Sequence, residues 1–149
     1  MVTHLLSAGA SADAAAADGR TPLHFLVADD SEGAPPLAEA RRAVARVLIA
    51  ARADVEALHG GLTPLLVAAA AGHTATLDEL VRGGASLHAR AANGSSVLLA
   101  AVSGGHLEAA AKLVELGARG DPEALDAARA RMDARLIQLV DLSLAREEL

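Results

Sequence analysis

The side chains in this chain that could bind a metal ion or transfer a proton are six histidines and several neighbouring carboxylates. Two imidazoles on one face of a helix can share a metal ion when they stand four residues apart, and no pair of histidines here has that spacing. The chain also contains no cysteine, so thiolate metal sites and disulfides are excluded. We therefore expect no metal site.

Asp78 and Glu79 are adjacent carboxylates, a residue type that general acid–base catalysis uses. They fall on the polar side of a predicted helix, so we expect them on an exposed helix face rather than in a cleft. No nucleophile elbow, phosphate-binding loop or dinucleotide-binding fingerprint is present, and Gly104 and Gly105 fall in a predicted turn. The sequence therefore predicts no catalytic residue, no cofactor and no enzymatic activity.

The elements that position these side chains are clearest in residues 63–85, which predict two helices joined by a turn. Thr63 can cap a helix through its hydroxyl, and Pro64 stands at the first helical position, where a missing N–H costs nothing. The short apolar helix that follows ends at Gly72. A second, amphipathic helix is predicted over about residues 74–82.

This helix–turn–helix unit recurs with a fixed spacing. Ser96 follows Thr63 by 33 residues, and His106 follows His73 by the same 33. A further copy opens upstream at Thr21-Pro22-Leu23-His24. A 33-residue period with Thr-Pro-Leu-His at the start of a helix is typical of ankyrin repeats. The chain thus resembles the ankyrin-repeat family over nearly its whole length.

The resemblance implies an all-α ankyrin-repeat solenoid, in which helix–turn–helix units stack and short β-hairpin-like fingers connect them. Residues 1–149 would form a single domain. The chain begins inside a repeat, so either a longer protein was trimmed there or Met1 is native and the first full layer is poorly covered. The predicted division is a partial repeat at 1–16, repeats at about 17–58, 59–91 and 92–121, and C-terminal capping helices at 122–149.

The sequence departs from the repeat pattern at three places, and each departure leads to a structural prediction. Arg52 stands where other repeats have a glycine, and a positive φ at that helix end would strain an arginine. The finger at residues 54–62 is one residue shorter than its neighbours. An insert at residues 29–36 lengthens the first full repeat. It is either a passive surface loop or an acidic wall of a binding groove, formed by Asp29, Asp30 and Glu32.

Other polar positions are expected to be structural. The resemblance implies that His24 forms hydrogen bonds within and between repeats, and that His73 and His106 form local ones. On the second helix of the first full repeat, three arginines are predicted to form a solvated outer face: Arg41, Arg42 and Arg46.

Composition limits the classes of partner. A net charge of −6 and a pI near 5.4 argue against nucleic acid or an anionic membrane surface. No apolar run reaches the roughly 18 residues of a membrane span, and no signal peptide is evident. We expect a cytoplasmic or otherwise intracellular protein.

Ankyrin-like domains are generally protein-binding modules, so the resemblance implies a protein–protein interaction module. Its partner would lie on the concave side, across the finger tips and the inner faces of the first helices. Phe25 and Arg20 are the expected anchors, because they are the largest side chains there. By repeat position, the partner-binding residues would be Asp18, Arg20, Phe25, Ala28, His59, Leu62, Val67, Ala70, Asn93, Ser95, Ala100 and Ser103.

The alternative is a structural, spacer or self-associating segment of a larger protein. Weak self-association would then involve the C-terminal helix, whose apolar side chains exceed what a cap can bury: Leu142, Leu144 and Leu149.

Overall fold

The computed structural model describes residues 8–28 and 35–145. Within these ranges, β-structure is limited to two isolated bridges, His59–Leu62 and Arg90–Ser96. The helices of these ranges are α1 (Pro22–Val27), α2 (Pro35–Ala50), α3 (Pro64–Ala70), α4 (Thr74–Arg82), α5 (Val97–Gly104), α6 (Leu107–Glu115), α7 (Pro122–Ala130) and α8 (Ala134–Ala145).

The helices stack as pairs in two layers. In the inner layer α1 packs on α3, α3 on α5 and α5 on α7, and in the outer layer α2, α4, α6 and α8 follow in the same order. Each helix also packs on its own partner, as α3 does on α4. The predicted all-α solenoid of stacked helix–turn–helix units is therefore confirmed.

Short polar side chains start the inner helices, as the sequence predicts. Thr63 Oγ1 accepts a hydrogen bond from the Leu66 amide at 3.3 Å, and Ser96 Oγ accepts from the Leu99 amide at 3.0 Å. Asp121 Oδ1 accepts from the amide of Ala124 at 2.7 Å and so caps α7. These bonds satisfy backbone donors that a helix start leaves unpaired, so they fix where each repeat begins.

The core is a stack of leucines separated by alanines. Each helix pair contributes fully buried leucines to one continuous cluster that runs from the first repeat to α8. Alanines such as Ala69 and Ala101 fill the space between the helices. Small side chains let paired helices approach closely, and each repeat needs only to cover the apolar face of the next repeat. A chain with one aromatic residue can therefore bury its interior.

The fingers close by short backbone hydrogen bonds. Residues 16–20 and 91–95 each form a turn in which the first amide donates to the last carbonyl at 2.9 Å. In the middle finger, His59 and Leu62 exchange two backbone hydrogen bonds of 3.0 Å across Gly60-Gly61. Both glycines have positive φ, +59° and +77°, as a two-residue hairpin turn requires. This tighter turn explains why residues 54–62 are one residue short.

The turns between paired helices also stack on one another. A Cβ added to Gly72 would lie 2.5 Å from Nδ1 of His106, one repeat further on. The side chain of Arg131 occupies the corresponding space beside Gly105. Each of these turns thus has a glycine that leaves room for a side chain of the following repeat.

The prediction of a fully solvated polar outer face is wrong. Arg41 is only 5% exposed and Glu79 only 6% exposed, and Asp78 is buried as well. Because α2 and α4 pack side by side, arginines of α2 face carboxylates of α4. Glu79 accordingly receives Arg46 Nη2 at 2.6 Å and Arg42 Nε at 2.8 Å.

Arg52 adopts the predicted left-handed backbone, with φ +64°. The acidic part of the insert, most of the partial repeat's N-terminal remnant and Leu149 lie outside the described residues. The repeat boundaries assigned from the sequence remain predictions.

Candidate partner-binding surface

Solvent-facing positions on α1, α3 and α5 recur with the repeat. The side chains four and seven residues after each N-cap are exposed or half-buried, whereas the side chains six residues after it, Val27, Ala69 and Val102, are buried. Phe25 is 45% exposed and occupies the same repeat position as Val67 and Ala100. Since helix periodicity places these side chains on one face, they form a row across the inner layer.

All twelve residues predicted to bind a partner are at least partly accessible. Six lie on this helical row, and the other six lie on the three fingers that precede α1, α3 and α5. We call this set the finger–helix surface: Asp18, Arg20, Phe25, Ala28, His59, Leu62, Val67, Ala70, Asn93, Ser95, Ala100 and Ser103.

The two predicted anchors are in direct contact. The guanidinium carbon of Arg20 lies 4.2 Å from the centre of the Phe25 ring, close enough for a cation–π interaction. Asp18 binds an edge of that guanidinium, with Oδ2 2.6 Å from Nη2 and 2.7 Å from Nε. The hydrogen bonds from Arg20 lower the pKa of Asp18. Phe25 and Arg20 are thereby presented to solvent in a fixed arrangement.

His24 fixes the middle finger against the first repeat. Its ring is buried, with Nδ1 2.9 Å from Thr21 Oγ1 and Nε2 3.2 Å from the carbonyl oxygen of Leu62. A carbonyl only accepts, so Nε2 carries the proton and Nδ1 accepts from the threonine hydroxyl. Burial lowers the pKa of His24, which keeps the ring neutral. The predicted hydrogen bonds within and between repeats are confirmed.

Residues that the sequence did not single out also belong to this region. Leu58, beside His59, is 67% exposed. Arg90 donates from Nη1 to the Gly94 carbonyl at 2.7 Å, and Arg131 donates from Nη1 to the Ser103 carbonyl at 3.0 Å. Leu58 could have been found as an apolar residue in a predicted finger. Arg131 could not have been found, because it belongs to the last helix pair, which does not follow the 33-residue period.

The outer face has different chemistry. An open pocket of about 380 Å³ lies between the turn at His73 and the side chains of Arg41 and Glu108, and one of about 400 Å³ adjoins it. Nearby, hydrogen bonds from Arg46 and Arg42 lower the pKa of Glu79 to about 2. A carboxyl group that stays ionised to such low pH does not donate a proton near neutrality. Glu79 therefore links α2 to α4 as an ion-pair acceptor.

Residues 8–28 and 35–145 contain no group of three or more histidine or acidic side chains placed to hold a metal ion. In the same ranges, no helix is both long enough and apolar enough to cross a membrane.

Comparison with known proteins agrees with this geometry. A family model described as ankyrin repeats (3 copies) matches residues 37–124, more than half of the chain. Over 116 residues, 75% of this chain, the sequence is 37% identical to neurogenic locus notch homolog protein 1 of Homo sapiens. It is 36% identical over the same share to the proteins of that name from Mus musculus and Cricetulus griseus. The chain spans about 4% of the length of these relatives.

Proposed function

Because the chain belongs to the ankyrin-repeat family, whose repeats are generally protein–protein interaction modules, we propose that it binds a partner protein through the finger–helix surface, on the concave side of the stack. The observation that carries this proposal is the exposed Arg20–Phe25 pair. An aromatic ring that is 45% exposed and stacked under a guanidinium combines two side-chain types favoured in interface hot spots.

The proposal is tested with Phe25→Ala and a matched control. Leu142→Ala removes another exposed large apolar side chain, 58% exposed, from α8. A partner is first captured on the wild-type chain by cross-linking and identified by mass spectrometry, and its affinity is then measured for both variants. Phe25→Ala should weaken binding at least about tenfold, as loss of a central anchor does. Leu142→Ala should leave the affinity unchanged.

Circular dichroism separates lost binding from lost folding. Phe25 is nearly half exposed, so its truncation should move the melting temperature little compared with truncation of a core leucine. If Phe25→Ala folds normally and binds with wild-type affinity, the finger–helix surface is not the binding site.

Self-association is the second candidate function, and exposure of Leu142 favours it. A dimer formed through α8 would be lost in Leu142→Ala and retained in Phe25→Ala, as read by analytical ultracentrifugation. A monomer at all concentrations would contradict this candidate.

We further propose a non-catalytic, intracellular protein that does not bind nucleic acid or membranes. The family is typically non-catalytic, and the net charge of −6 would repel polyanions. A filter-binding measurement with duplex DNA and sedimentation with anionic vesicles test the last two points, and retention by either at physiological salt would contradict them.

A further inference from the structure

The helices that form the floor of the finger–helix surface are uncharged, whereas the chain as a whole has a net charge of −6. α1, α3 and α5 contain no aspartate, glutamate, lysine or arginine. Three arginines stand at the ends of these helices. Arg20 and Arg90 lie on fingers at the N-terminal side, and Arg131 lies at the C-terminal end of α5, where it contacts Ser103. The uncharged floor thus has arginines on two sides, and one of them, Arg20, is paired with Asp18.

Carboxylates on the fingers are engaged in local bonds. Asp13 Oδ1 accepts from the Asp54 amide at 2.7 Å, and Glu56 Oε1 accepts from the Ser86 amide at 2.8 Å. Asp54 itself accepts from the Glu56 amide at 2.9 Å, and Asp18 accepts from Arg20. These acidic groups connect one finger to the next or hold a turn, so their lone pairs are partly occupied within the chain.

The arginines, in contrast, keep donors to spare. A guanidinium has five N–H donors. Arg90 and Arg131 each direct Nη1 to a backbone carbonyl, and Arg20 directs Nε and Nη2 to Asp18. These bonds orient each planar group and leave further N–H groups free for a carboxylate, which guanidinium binds in bidentate fashion.

We infer that the partner presents an acidic amphipathic helix to this surface. Its apolar face would lie on Phe25, Val67 and Ala100, and aspartate or glutamate at its edges would pair with Arg20, Arg90 and Arg131. Small side chains at Ala28, Ala70 and Ser103 leave room for the bulkier side chains of such a helix. This inference rests on the proposed function and adds the chemistry of the partner to it.

Selection from a displayed peptide library tests the inference without a known partner. The library consists of helical peptides that keep leucine at positions i, i+3, i+4 and i+7 and are randomised elsewhere. Peptides retained by the wild-type chain should carry more aspartate and glutamate, and less lysine and arginine, than the input pool. A synthetic peptide of the most enriched sequence then serves as the binding probe.

The probe is measured against the triple variant Arg20→Gln, Arg90→Gln, Arg131→Gln. Three partly exposed ion pairs together should weaken binding roughly tenfold or more, and added salt should reduce the wild-type affinity towards that of the variant. Arg82→Gln is the matched control, because it removes one positive charge from the outer face. It should leave the affinity unchanged.

The remaining outcomes distinguish this inference from the proposed function. If the enriched peptides are neutral or basic and bind more weakly to Phe25→Ala, the partner is not an acidic helix, but the finger–helix surface is still the binding site. If acidic peptides are enriched but bind with unchanged affinity to both Phe25→Ala and the triple variant, the inference and the proposed surface are both overturned. If nothing is enriched above a selection without protein, the helical partner is overturned, and capture of the intact partner still decides the proposed function.

Discussion

Replacing Glu79 by glutamine should destabilise the fold near neutral pH but much less in acid. The carboxylate is buried and accepts hydrogen bonds from Arg46 and Arg42, which lower its pKa from 4.5 to about 2. A carboxyl group with a lowered pKa contributes stability above its unfolded value, and this contribution is lost as the pH falls through its folded value. The relevant window therefore runs from about pH 4.5 down to about pH 2.

The size of the effect follows from that difference. The interval between 4.5 and about 2 corresponds to about 3 kcal/mol when each pH unit is worth about 1.4 kcal/mol. Arg46 is mostly solvent-exposed, and water screens its contribution, so about 2 kcal/mol is expected at about pH 7. At about pH 3 the gap between Glu79→Gln and wild type should shrink to under half of this, because the Glu79 carboxyl group of the unfolded chain is then largely protonated and must lose its proton on folding.

Urea unfolding followed by helical circular dichroism measures the free-energy gap at both pH values. Glu108→Gln is the control, because Glu108 is exposed on α6 and has no ion pair within the described part of the chain. Its gap should be small at both pH values. A Glu79→Gln gap that is equal at neutral and acid pH would refute the reasoning, since the loss would then come from packing and not from the charge.

Three further substitutions test the backbone and the repeat contacts. Arg52→Gly should stabilise the fold by about 0.5–1 kcal/mol in urea unfolding, because it relieves a left-handed arginine, whereas Arg52→Ala keeps the strain and should not. Gly72→Ala should lower the free energy of unfolding by about 1–2 kcal/mol more than Gly84→Ala, because both glycines have positive φ but only a Cβ at Gly72 would meet His106. Equal losses of stability would contradict the turn packing. His24→Gln should flatten the fall in stability below about pH 6.5, where the unfolded imidazole gains a proton that the buried ring resists, and an unchanged pH profile would count against this role.

The period and the helix caps could be predicted from the sequence because both are local. Thr63, Ser96 and Asp121 cap helices through residue types that prefer that position, and the 33-residue spacing fixes which helices stack. The exposed row headed by Phe25 then follows from helical periodicity. Its binding role remains a proposal.

The outer ion pairs could have been read from the same period. Across the short finger the repeat step is 32 residues, as from Arg52 to Gly84, so Asp78 stands at the position equivalent to Arg46 and Glu79 directly follows it. Treating each helix alone gives a polar outer face and misses this contact. Arg131 could not be placed from the sequence, since the last helix pair departs from the period and its turn reaches Ser103 only through the fold.

Stacking of the turns constrains how such a chain can be recombined. Gly72 belongs to one repeat and the ring that fills its open side, His106, belongs to the next, and Gly105 and Arg131 are divided in the same way. A single repeat moved as a cassette would bring a glycine without its filler, or a bulky side chain facing a neighbour that has a Cβ. Gene duplication or repeat shuffling would conserve such a contact only if the exchanged block contained both turns, or if the new neighbouring turn matched. The unit that must stay intact in such a recombination is therefore the junction between two repeats, rather than a single repeat.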